Sequence, residues 1–433
     1  MNKEINEREL VLGILLEVTK EGQKSHIVIR SVLEKYQYLD KRERAFITRV
    51  SEGTIERMLE LDYIIDQFSK VKTNKMKPVI LNILRSAVYQ LKYMDNVPAS
   101  AACNEAVKLA VKKGFGSLRG FVNGVLRNIS RNLDGIPYPS KEEPLRYLSV
   151  VYSMPDWIVR QWLSDYGYET TEAILKSMYE EHPTTVRVNS GQTDREALKE
   201  KLKREGVEVK EHPLSEEALL ISGYDYLGSL ESFRDGDYQI QDVSSIEVAK
   251  CAGIKPGDYV IDVCAAPGGK ALHAAQLLAG TGHVEARDLT EQKVELIRDN
   301  IARMGFANIE AVQMDATCFD TDSVERADVL LADLPCSGLG VLAKKTDLKY
   351  NITERQQEEL VELQRQILGV VKSYVKPGGT LVYSTCTVNK KENEENAAWF
   401  AEASPDFALE FEKQTLPSRE SDGFYLAKFK RIR

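Results

Sequence analysis

The sequence predicts a multidomain protein with an all-α N-terminal bundle, a small α+β module and a C-terminal α/β domain. Its 433 residues exceed what one hydrophobic core usually organises, so about two or three domains are expected. Apolar residues recur at helical spacing as far as about Asn132, whereas short apolar strands alternate with helical segments after Gln239. A turn-rich stretch, Asp134–Ser140, separates the two patterns.

The first segment is patterned for helices. Leu10, Ile14 and Val18 recur at the spacing of one helix face. Asp40, followed three positions later by Glu43, is typical of a helix N-terminus closed by a capping box. Little of this segment alternates as strands do. We therefore predict a helical domain over residues 1–135.

The middle segment, residues 145–238, mixes both kinds of pattern. Thr185–Asn189 and Val207–Lys210 alternate between apolar and polar residues, as half-buried strands do. Asp194–Arg204, which lies between them, is typical of a helix. These features predict a small α+β module.

The last segment, residues 239–433, is predicted to be an α/β domain. Its candidate strands are Tyr259–Val263, His283–Ala286, Ile309–Gln313, Val329–Ala332 and Thr380–Tyr383. Helical or loop segments separate them, which predicts right-handed strand–helix–strand units and a mostly parallel sheet.

One region of the acidic chain is locally basic. The net charge is −8, yet Ala106–Leu133 has six basic residues and no Asp or Glu. Such a confined basic segment is compatible with a phosphate-binding face, and a solvated helix surface is an equally good interpretation. The candidate RNA-binding residues are Lys112, Lys113, Arg119, Arg127 and Arg131.

The cysteines, histidines and apolar runs exclude several protein classes. The six cysteines lack the paired spacing of a disulfide framework, and the five scattered histidines do not predict a metal site. No apolar run is long enough to cross a bilayer. The opening residues Met1–Glu4 begin no signal peptide. We predict a cytoplasmic protein without a bound metal or a membrane partner.

Two cysteines follow two different predicted strands. Cys336 lies just after Asp333, and Cys386 follows the strand ending near Tyr383. Loops at the carboxyl ends of strands carry the chemistry of open α/β sheets. A thiolate beside a second thiol and a carboxylate suits covalent attack on an electron-poor ring carbon, such as C6 of cytosine. The alternative is a pair of buried structural cysteines.

A glycine-containing loop follows the first strand of the same domain. Glycines allow close approach of a ligand, and the helix that follows offers free N–H groups. Asp288 ends the second strand, where an acid would meet ribose hydroxyls, and Asp315 follows the third. The absence of GxGxxG and of a P-loop disfavours NAD and nucleoside triphosphates. The loop residues are Cys264, Ala265, Ala266, Pro267, Gly268, Gly269 and Lys270.

The loop Cys264–Lys270, the segment Asp333–Ser337 and the segment Ser384–Thr387 resemble motifs of the RNA cytosine-C5 methyltransferases, the Nol1/Nop2/Sun family. The resemblance implies an S-adenosylmethionine site. In it the loop would surround the methionine and sugar, Asp288 would accept the ribose hydroxyls and Asp315 would lie by the adenine. It also implies that Cys386 is the nucleophile, that Cys336 assists product release and that Asp333 contacts cofactor and base.

The resemblance extends to the N-terminal half. Val97–Ser100, Asn104–Val107 and Phe121–Arg127 resemble the NusB-like RNA-binding domain of one bacterial branch, which methylates 16S rRNA. Asp422–Tyr425 resembles the final strands of that branch, while Leu334 replaces a more usual alanine. The resemblance implies a monomer that modifies a single-stranded loop of 16S rRNA, at cytosine 967, before subunit assembly is complete.

From the residues alone, three alternatives stay open. The spacing does not decide which thiol attacks, and Lys270 could bind a substrate phosphate or simply begin a helix. Another rRNA or tRNA site could be the target. Two different activities also compete: methylation of an exocyclic amine on the same fold, and RNA binding or antitermination without catalysis.

Overall fold

A computed structural model describes residues 6–433. Met1–Glu4, on which the prediction about a signal peptide depends, lie outside the described residues. The chain forms two compact units. The first contains the chain as far as Lys176 together with Leu342–Asn351, and the second contains Ser177–Val341 and Ile352–Arg433.

The first unit is helical, as the sequence predicts. Asp40 accepts from the backbone N–H of Glu43, whose side chain accepts from the N–H of Asp40, so the predicted capping box is present. Val11, Ile14 and Leu15 are buried in one core with residues from the following helices. The helices are α1 (Glu7–Thr19), α2 (Ser25–Lys35), α3 (Lys41–Glu56), α4 (Met58–Phe68), α5 (Pro78–Tyr93), α6 (Ala99–Lys112), α7 (Arg119–Arg131), α8 (Pro144–Val151) and α9 (Asp156–Ser177), the last kinked at Gly167.

The second unit begins with a small antiparallel sheet in the order β2-β3-β1-β4. Its apolar side chains alternate, so that Val186 and Val188 of β1 are buried against Leu198 and Leu202. This confirms the α+β pattern predicted for the middle segment. The elements are β1 (Thr184–Val188), α10 (Arg195–Arg204), β2 (Glu208–Glu211), β3 (Ala218–Ser222), α11 (Glu231–Arg234) and β4 (Tyr238–Ile240).

A seven-stranded sheet forms the rest of this unit, in the order β10-β11-β9-β8-β5-β6-β7. The strands are β5 (Tyr259–Asp262), β6 (His283–Asp288), β7 (Ile309–Gln313), β8 (Ala327–Asp333), β9 (Val375–Thr385), β10 (Phe407–Thr415) and β11 (Phe424–Arg431). The five predicted strands pair in parallel, and β10 and β11 add an antiparallel edge. The order reverses at β5 and β8, and ligands of open α/β sheets bind where it reverses.

Helices cover both faces of this sheet. Ala271 and Leu272 of α13 are buried on one face, and Ile367 and Leu368 of α16 are buried on the other. The helices are α12 (Val243–Ala252), α13 (Gly269–Leu277), α14 (Glu291–Met304), α16 (Glu354–Val371) and α17 (Glu394–Ala403), while α15 (Leu348–Asn351) lies outside this unit. Among the described residues, no helix combines the length and apolarity that a membrane span requires.

The short helix α15 belongs to the first unit, although it is flanked in the chain by residues of the second. Lys349 is buried and donates to the backbone oxygen of Glu56 at 2.9 Å. The hydroxyls of Tyr350 and Ser153 are 3.1 Å apart, and Asp347 accepts from Ser25 at 2.5 Å. The segment 342–351 is therefore an integral part of the helical unit.

Candidate active site

The two thiols predicted to share a crevice lie side by side. Strands β8 and β9 are adjacent and parallel, with Asp333 in register with Ser384, so the loops that follow them leave the same edge of the sheet. The sulfur atoms of Cys336 and Cys386 are 3.4 Å apart. This separation allows one thiol to donate a hydrogen bond to the other.

The environment of Cys336 favours its protonated form. The hydrogen bond with Cys386 is the largest cause that raises the pKa of Cys336 well above its ordinary value, followed by burial and by the carboxylates of Glu392 and Asp333. A thiol that keeps its proton can stabilise a neighbouring thiolate. The pair is thus asymmetric, with Cys336 suited to hold the shared proton.

A lysine and an aspartate extend the site beside the thiols. The ammonium of Lys270 donates to Asp333 at 2.6 Å, and the other oxygen of Asp333 accepts from the hydroxyl of Ser384 at 2.7 Å. Burial alone would lower the pKa of Lys270, but Asp333, Asp262 and Cys386 together raise it. Lys270 therefore stays cationic, and its charge stabilises a thiolate at Cys386.

Two glycine-containing segments pack the cysteine loops together. Gly340 donates its N–H to the carbonyl oxygen of Cys386 at 3.1 Å and accepts from the N–H of Gly423 at 2.8 Å. A Cβ atom at Gly340 would lie 2.0 Å from the oxygen of Gly423, so only glycine fits this approach. The next residue, Phe424, presents its ring 5.4 Å from the ammonium of Lys270. The motif at Asp422–Tyr425 thus completes one side of the site.

Asp262, at the end of β5, is a functional candidate that the sequence analysis missed. Its side chain is fully buried, and neither carboxylate oxygen accepts a hydrogen bond of normal geometry from the described residues. Burial, reinforced by Asp333, raises the pKa of Asp262 to about 7. A buried carboxyl without a donor is costly, which suggests that a cationic or hydrogen-bonding ligand completes this position.

The carboxyl ends of β5 and β6 offer side chains that fit the cofactor implied by the family resemblance. S-adenosylmethionine has an ammonium group and a ribose diol, and Asp262 and Asp288 offer one carboxylate for each. Asp288 is buried and accepts from the N–H of Ala266 at 3.0 Å and from Lys293 at 2.9 Å. The oxygen that Lys293 contacts also accepts from the N–H of Leu289 at 2.8 Å, whereas the oxygen that Ala266 contacts keeps a lone pair for a further donor.

The loop Cys264–Lys270 and Asp315 follow β5 and β7, on the strands that carry or neighbour Asp262 and Asp288. Gly268 has φ +106°, a conformation that favours glycine, and α13 begins at the next residue. Asp315 accepts from the backbone N–H of Thr317 at 2.8 Å and from its hydroxyl at 2.6 Å, which holds the loop after β7. Burial raises the pKa of Cys264, so this thiol is unsuited to act as a nucleophile. Within residues 6–433, no cluster of His, Cys, Asp and Glu could hold a metal ion.

The raised pKa of Asp262 predicts that the stability of the folded protein depends on pH. The stability that the protonated carboxyl contributes is complete below about pH 4 and is lost as the pH rises through about 7. We expect Asp262→Asn to unfold at nearly the wild-type temperature only below about pH 4, where the carboxyl is protonated in the folded and the unfolded states alike. Near pH 8.5 the unliganded variant should be more stable, by at most roughly 4 kcal/mol. Thermal melting across this pH range checks it, and parallel curves for the two proteins would contradict it.

The predicted basic segment is partly neutralised in the structure. Lys112 and Lys113 pair with the carboxylate of Glu9 at 2.5 and 2.7 Å. Arg127 contacts Asn104 and Asn123, which carry no charge. Arg119 and Arg131 are exposed and form no ion pair with the part of the chain that is described. One carboxylate balances only one of the two lysines, so uncompensated positive charge remains at this pair as well as on α7, at Arg119, Arg127 and Arg131.

Comparison with known proteins gives a consistent family for the whole chain. The family model "16S rRNA methyltransferase RsmB/F" matches residues 251–430, the NusB family matches residues 5–131, and an RsmF/B-like ferredoxin-like domain matches residues 154–224. A protein of Bacillus subtilis named "Probable ribosomal RNA small subunit methyltransferase B" is 37% identical over 96% of this chain and 93% of its own length. The chain belongs to the ribosomal RNA small subunit methyltransferase B family.

Other members and solved structures agree with this family. The ribosomal RNA small subunit methyltransferase B of Klebsiella pneumoniae is 30% identical over 99% of each chain. A solved structure titled "Crystal Structure of PH0851" is 25% identical, with a TM-score of 0.83, and covers 98% of this chain and 99% of that one. A structure of NSun6 from Pyrococcus horikoshii with SFG has a TM-score of 0.58 at 23% identity over 65% of this chain, which supports the fold alone.

Proposed function

We propose that this protein transfers a methyl group from S-adenosylmethionine to C5 of a cytosine in 16S rRNA, through a covalent bond between Cys386 and C6. The observation that carries the proposal is the pair of sulfur atoms 3.4 Å apart, beside the Lys270–Asp333 ion pair, at the carboxyl ends of β8 and β9. Family membership supports the choice of rRNA as the substrate.

Cys386 begins the reaction as the nucleophile. Its thiolate, stabilised by the cation of Lys270 and by the proton of Cys336, adds to C6 of the cytosine. Asp333 is suited to hold the N3/N4 edge of the base, which stabilises the protonated adduct. The C5–C6 double bond becomes a C6–S bond plus an electron-rich C5. Carbon 5 can then act as a nucleophile.

When bound, S-adenosylmethionine supplies an electrophilic methyl group, and its sulfur leaves as a neutral thioether. Asp262, Asp288, Asp315 and the loop Cys264–Lys270 are the residues that would hold it. After methylation, C5 must lose its proton so that the electron pair can expel the Cys386 thiolate and restore the double bond. We assign this release step to Cys336.

The asymmetry of the thiol pair supports that assignment. The largest cause of the raised pKa of Cys336 is its hydrogen bond with Cys386. Once Cys386 is bonded to carbon, its negative charge is gone, so Cys336 can lose its proton to water more easily and then, as a thiolate, accept the C5 proton. The same two thiols then return to their starting states.

A base inside a stack cannot reach Cys386, so the proposed substrate is a single-stranded loop that can splay a cytosine outward. Cytosine 967 is our proposed target, in rRNA that is not yet fully assembled. Arg119, Arg127 and Arg131 would contact flanking phosphates, with Lys112 and Lys113 available if the RNA displaces Glu9. We propose that a monomer in the cytoplasm performs the reaction.

Two alternative functions are less well supported. Methylation of an exocyclic amine needs no thiol, whereas two thiols lie within hydrogen-bonding distance here. A non-catalytic RNA-binding protein would not need the Lys270–Asp333 ion pair or the buried carboxyl of Asp262. Another rRNA or tRNA site remains compatible with the same chemistry.

An RNA that contains 5-fluorocytosine tests the proposed chemistry. Fluorine at C5 cannot leave as a proton, so the bond between Cys386 and C6 cannot be resolved after methyl transfer. We expect a covalent protein–RNA complex that withstands denaturation and requires the methyl donor. An enzyme that methylates normal RNA yet forms no such complex would contradict covalent catalysis at C6.

A further inference from the structure

A buried carboxylate, Glu392, contacts the loop that carries Cys336, which together with the loop of Cys386 we call the thiol loops. The reaction steps proposed above do not use this carboxylate. Glu392 lies between β9 and α17 and is fully buried. It accepts from the backbone N–H of Ser337 at 2.9 Å, from the amide of Gln364 at 3.0 Å, from Asn389 at 2.8 Å and from the hydroxyl of Ser337. These four donors occupy both oxygens of the carboxylate.

Glu392 and Gln364 together hold the backbone on both sides of Cys336. Gln364, on α16, donates to the carbonyl oxygen of Pro335 at 2.8 Å, which precedes the cysteine. Glu392 accepts from the N–H of Ser337, which follows it. The side-chain oxygen of Gln364 in turn accepts from the side-chain amide of Asn396 at 2.7 Å. Buried polar side chains therefore hold the backbone of the Cys336 loop in place.

The same network reaches the loop that carries the nucleophile. The hydroxyl of Ser337 lies 2.7 Å from that of Thr387, the residue after Cys386. Thr387 also accepts from the N–H of Leu339 at 3.2 Å. Glu392 thus anchors Ser337 directly and Thr387 through the hydroxyl of Ser337, which links the loops of the two cysteines.

The retention of a charge at this position requires an explanation. Buried ion pairs can often be replaced as a whole by well-packed apolar residues of similar volume with little loss of stability. A glutamine at position 392 could fill the same space and accept the N–H of Ser337. The carboxylate supplies two accepting oxygens for its four donors, and it also places a negative charge close to Cys336, where this charge opposes the ionisation of that thiol.

We propose that Glu392 is a positioning residue that holds the two thiol loops together and, through its charge, keeps the proton on Cys336, so that Cys386 alone attacks the base. This inference rests on the proposed function, since it explains how two neighbouring thiols take different roles. Gln364 supports the carboxylate and the Cys336 loop but supplies no charge.

Alkylation of Cys336 tests the charge directly. In a Cys386→Ser background, Cys336 is the single remaining thiol of the pair, and peptide mass spectrometry can follow its reaction with iodoacetamide as a function of pH. We expect Glu392→Gln to shift the midpoint of this profile to lower pH by about one unit, which means about tenfold faster alkylation below the midpoint. Glu395→Gln makes the same chemical change at an exposed position of α17 and should leave the profile unmoved.

A conservative variant separates charge from geometry. Glu392→Asp keeps the charge but shortens the reach to Ser337, so we expect a nearly wild-type alkylation profile with methyl transfer reduced about tenfold. If Glu392→Gln proves too unstable to measure, an alkylation profile of Glu392→Asp displaced to lower pH overturns the charge role. An alkylation profile of folded Glu392→Gln that matches the profile of Glu395→Gln also overturns the charge role of Glu392.

The alkylation assay requires neither RNA nor methyl donor. A failure of the inference about Glu392 therefore appears as an unshifted alkylation profile in an enzyme that still forms the adduct with fluorinated RNA. A failure of the proposed function appears instead as wild-type protein that forms no such adduct, whatever the alkylation profile.

Discussion

Cys386→Ala is expected to abolish methyl transfer while leaving cofactor binding nearly unchanged. Without the thiolate, C5 of cytosine is too weak a nucleophile to attack the sulfonium methyl group, because no C6 adduct can form. We expect the turnover number to fall by at least about a thousandfold, equivalent to about 4 kcal/mol of transition-state stabilisation. The carboxylates assigned to the cofactor, Asp262 and Asp288, lie on β5 and β6 and do not depend on this side chain.

Transfer of labelled methyl groups to rRNA and calorimetry with the methyl donor measure the two effects separately. Cys251→Ala is the matched control, because Cys251 is a free cysteine of α12 in the same unit, outside the loops assigned to the site, and should give wild-type turnover. Methyl transfer by Cys386→Ala at a rate close to that of the control would refute the assignment of the nucleophile. Loss of donor binding in this variant would show that the substitution disturbs the crevice as a whole.

The second large effect is expected for Cys336→Ala, which should stay covalently attached to its methylated RNA product. Cys386 can still add to C6 and C5 can still accept the methyl group. The release step then lacks the thiol 3.4 Å away that we assign to it, so the bond between Cys386 and C6 persists. We expect up to about one RNA per protein to stay attached through denaturation, with multiple turnover reduced at least about a hundredfold.

Denaturing electrophoresis with unmodified RNA and the methyl donor detects this complex. The double variant Cys336→Ala, Cys386→Ala is the control and should give no complex, since the attacking sulfur is absent. Normal turnover by Cys336→Ala without any trapped RNA would show that Cys336 has only a structural role. Trapping without the methyl donor would mean that methylation does not precede the release step.

The strands and the positions of both cysteines at strand ends could be predicted because they are encoded locally. A short apolar run followed by a polar loop specifies a buried parallel strand and its carboxyl end, whatever the rest of the chain does. The adjacency of β8 and β9 then brings Cys336 and Cys386 together. The capping box at Asp40 and Glu43 is local in the same sense, and it was predicted for the same reason.

The contacts that tune the site could not be predicted, because they join residues far apart in the sequence. Lys270 pairs with Asp333 across 63 positions, and Glu392 reaches Ser337 across 55. Neither Glu392 nor Asp262 carries a local signal of its burial, since acids are usually exposed. Glu9 neutralises Lys112 from 103 positions away, so the basic segment looked more charged than it is.

The membership of residues 342–351 in the helical unit has a consequence for biosynthesis. N-terminal domains generally fold while the remainder of the chain is still being translated. Here the helices up to Lys176 are synthesised well before Lys349 and Tyr350, which emerge only after most strands of the second unit. At roughly 5–20 residues per second, that delay is on the order of ten to thirty seconds. During this interval Glu56 and Ser153 lack their buried partners, so the nascent protein passes through a stage at which a chaperone could bind.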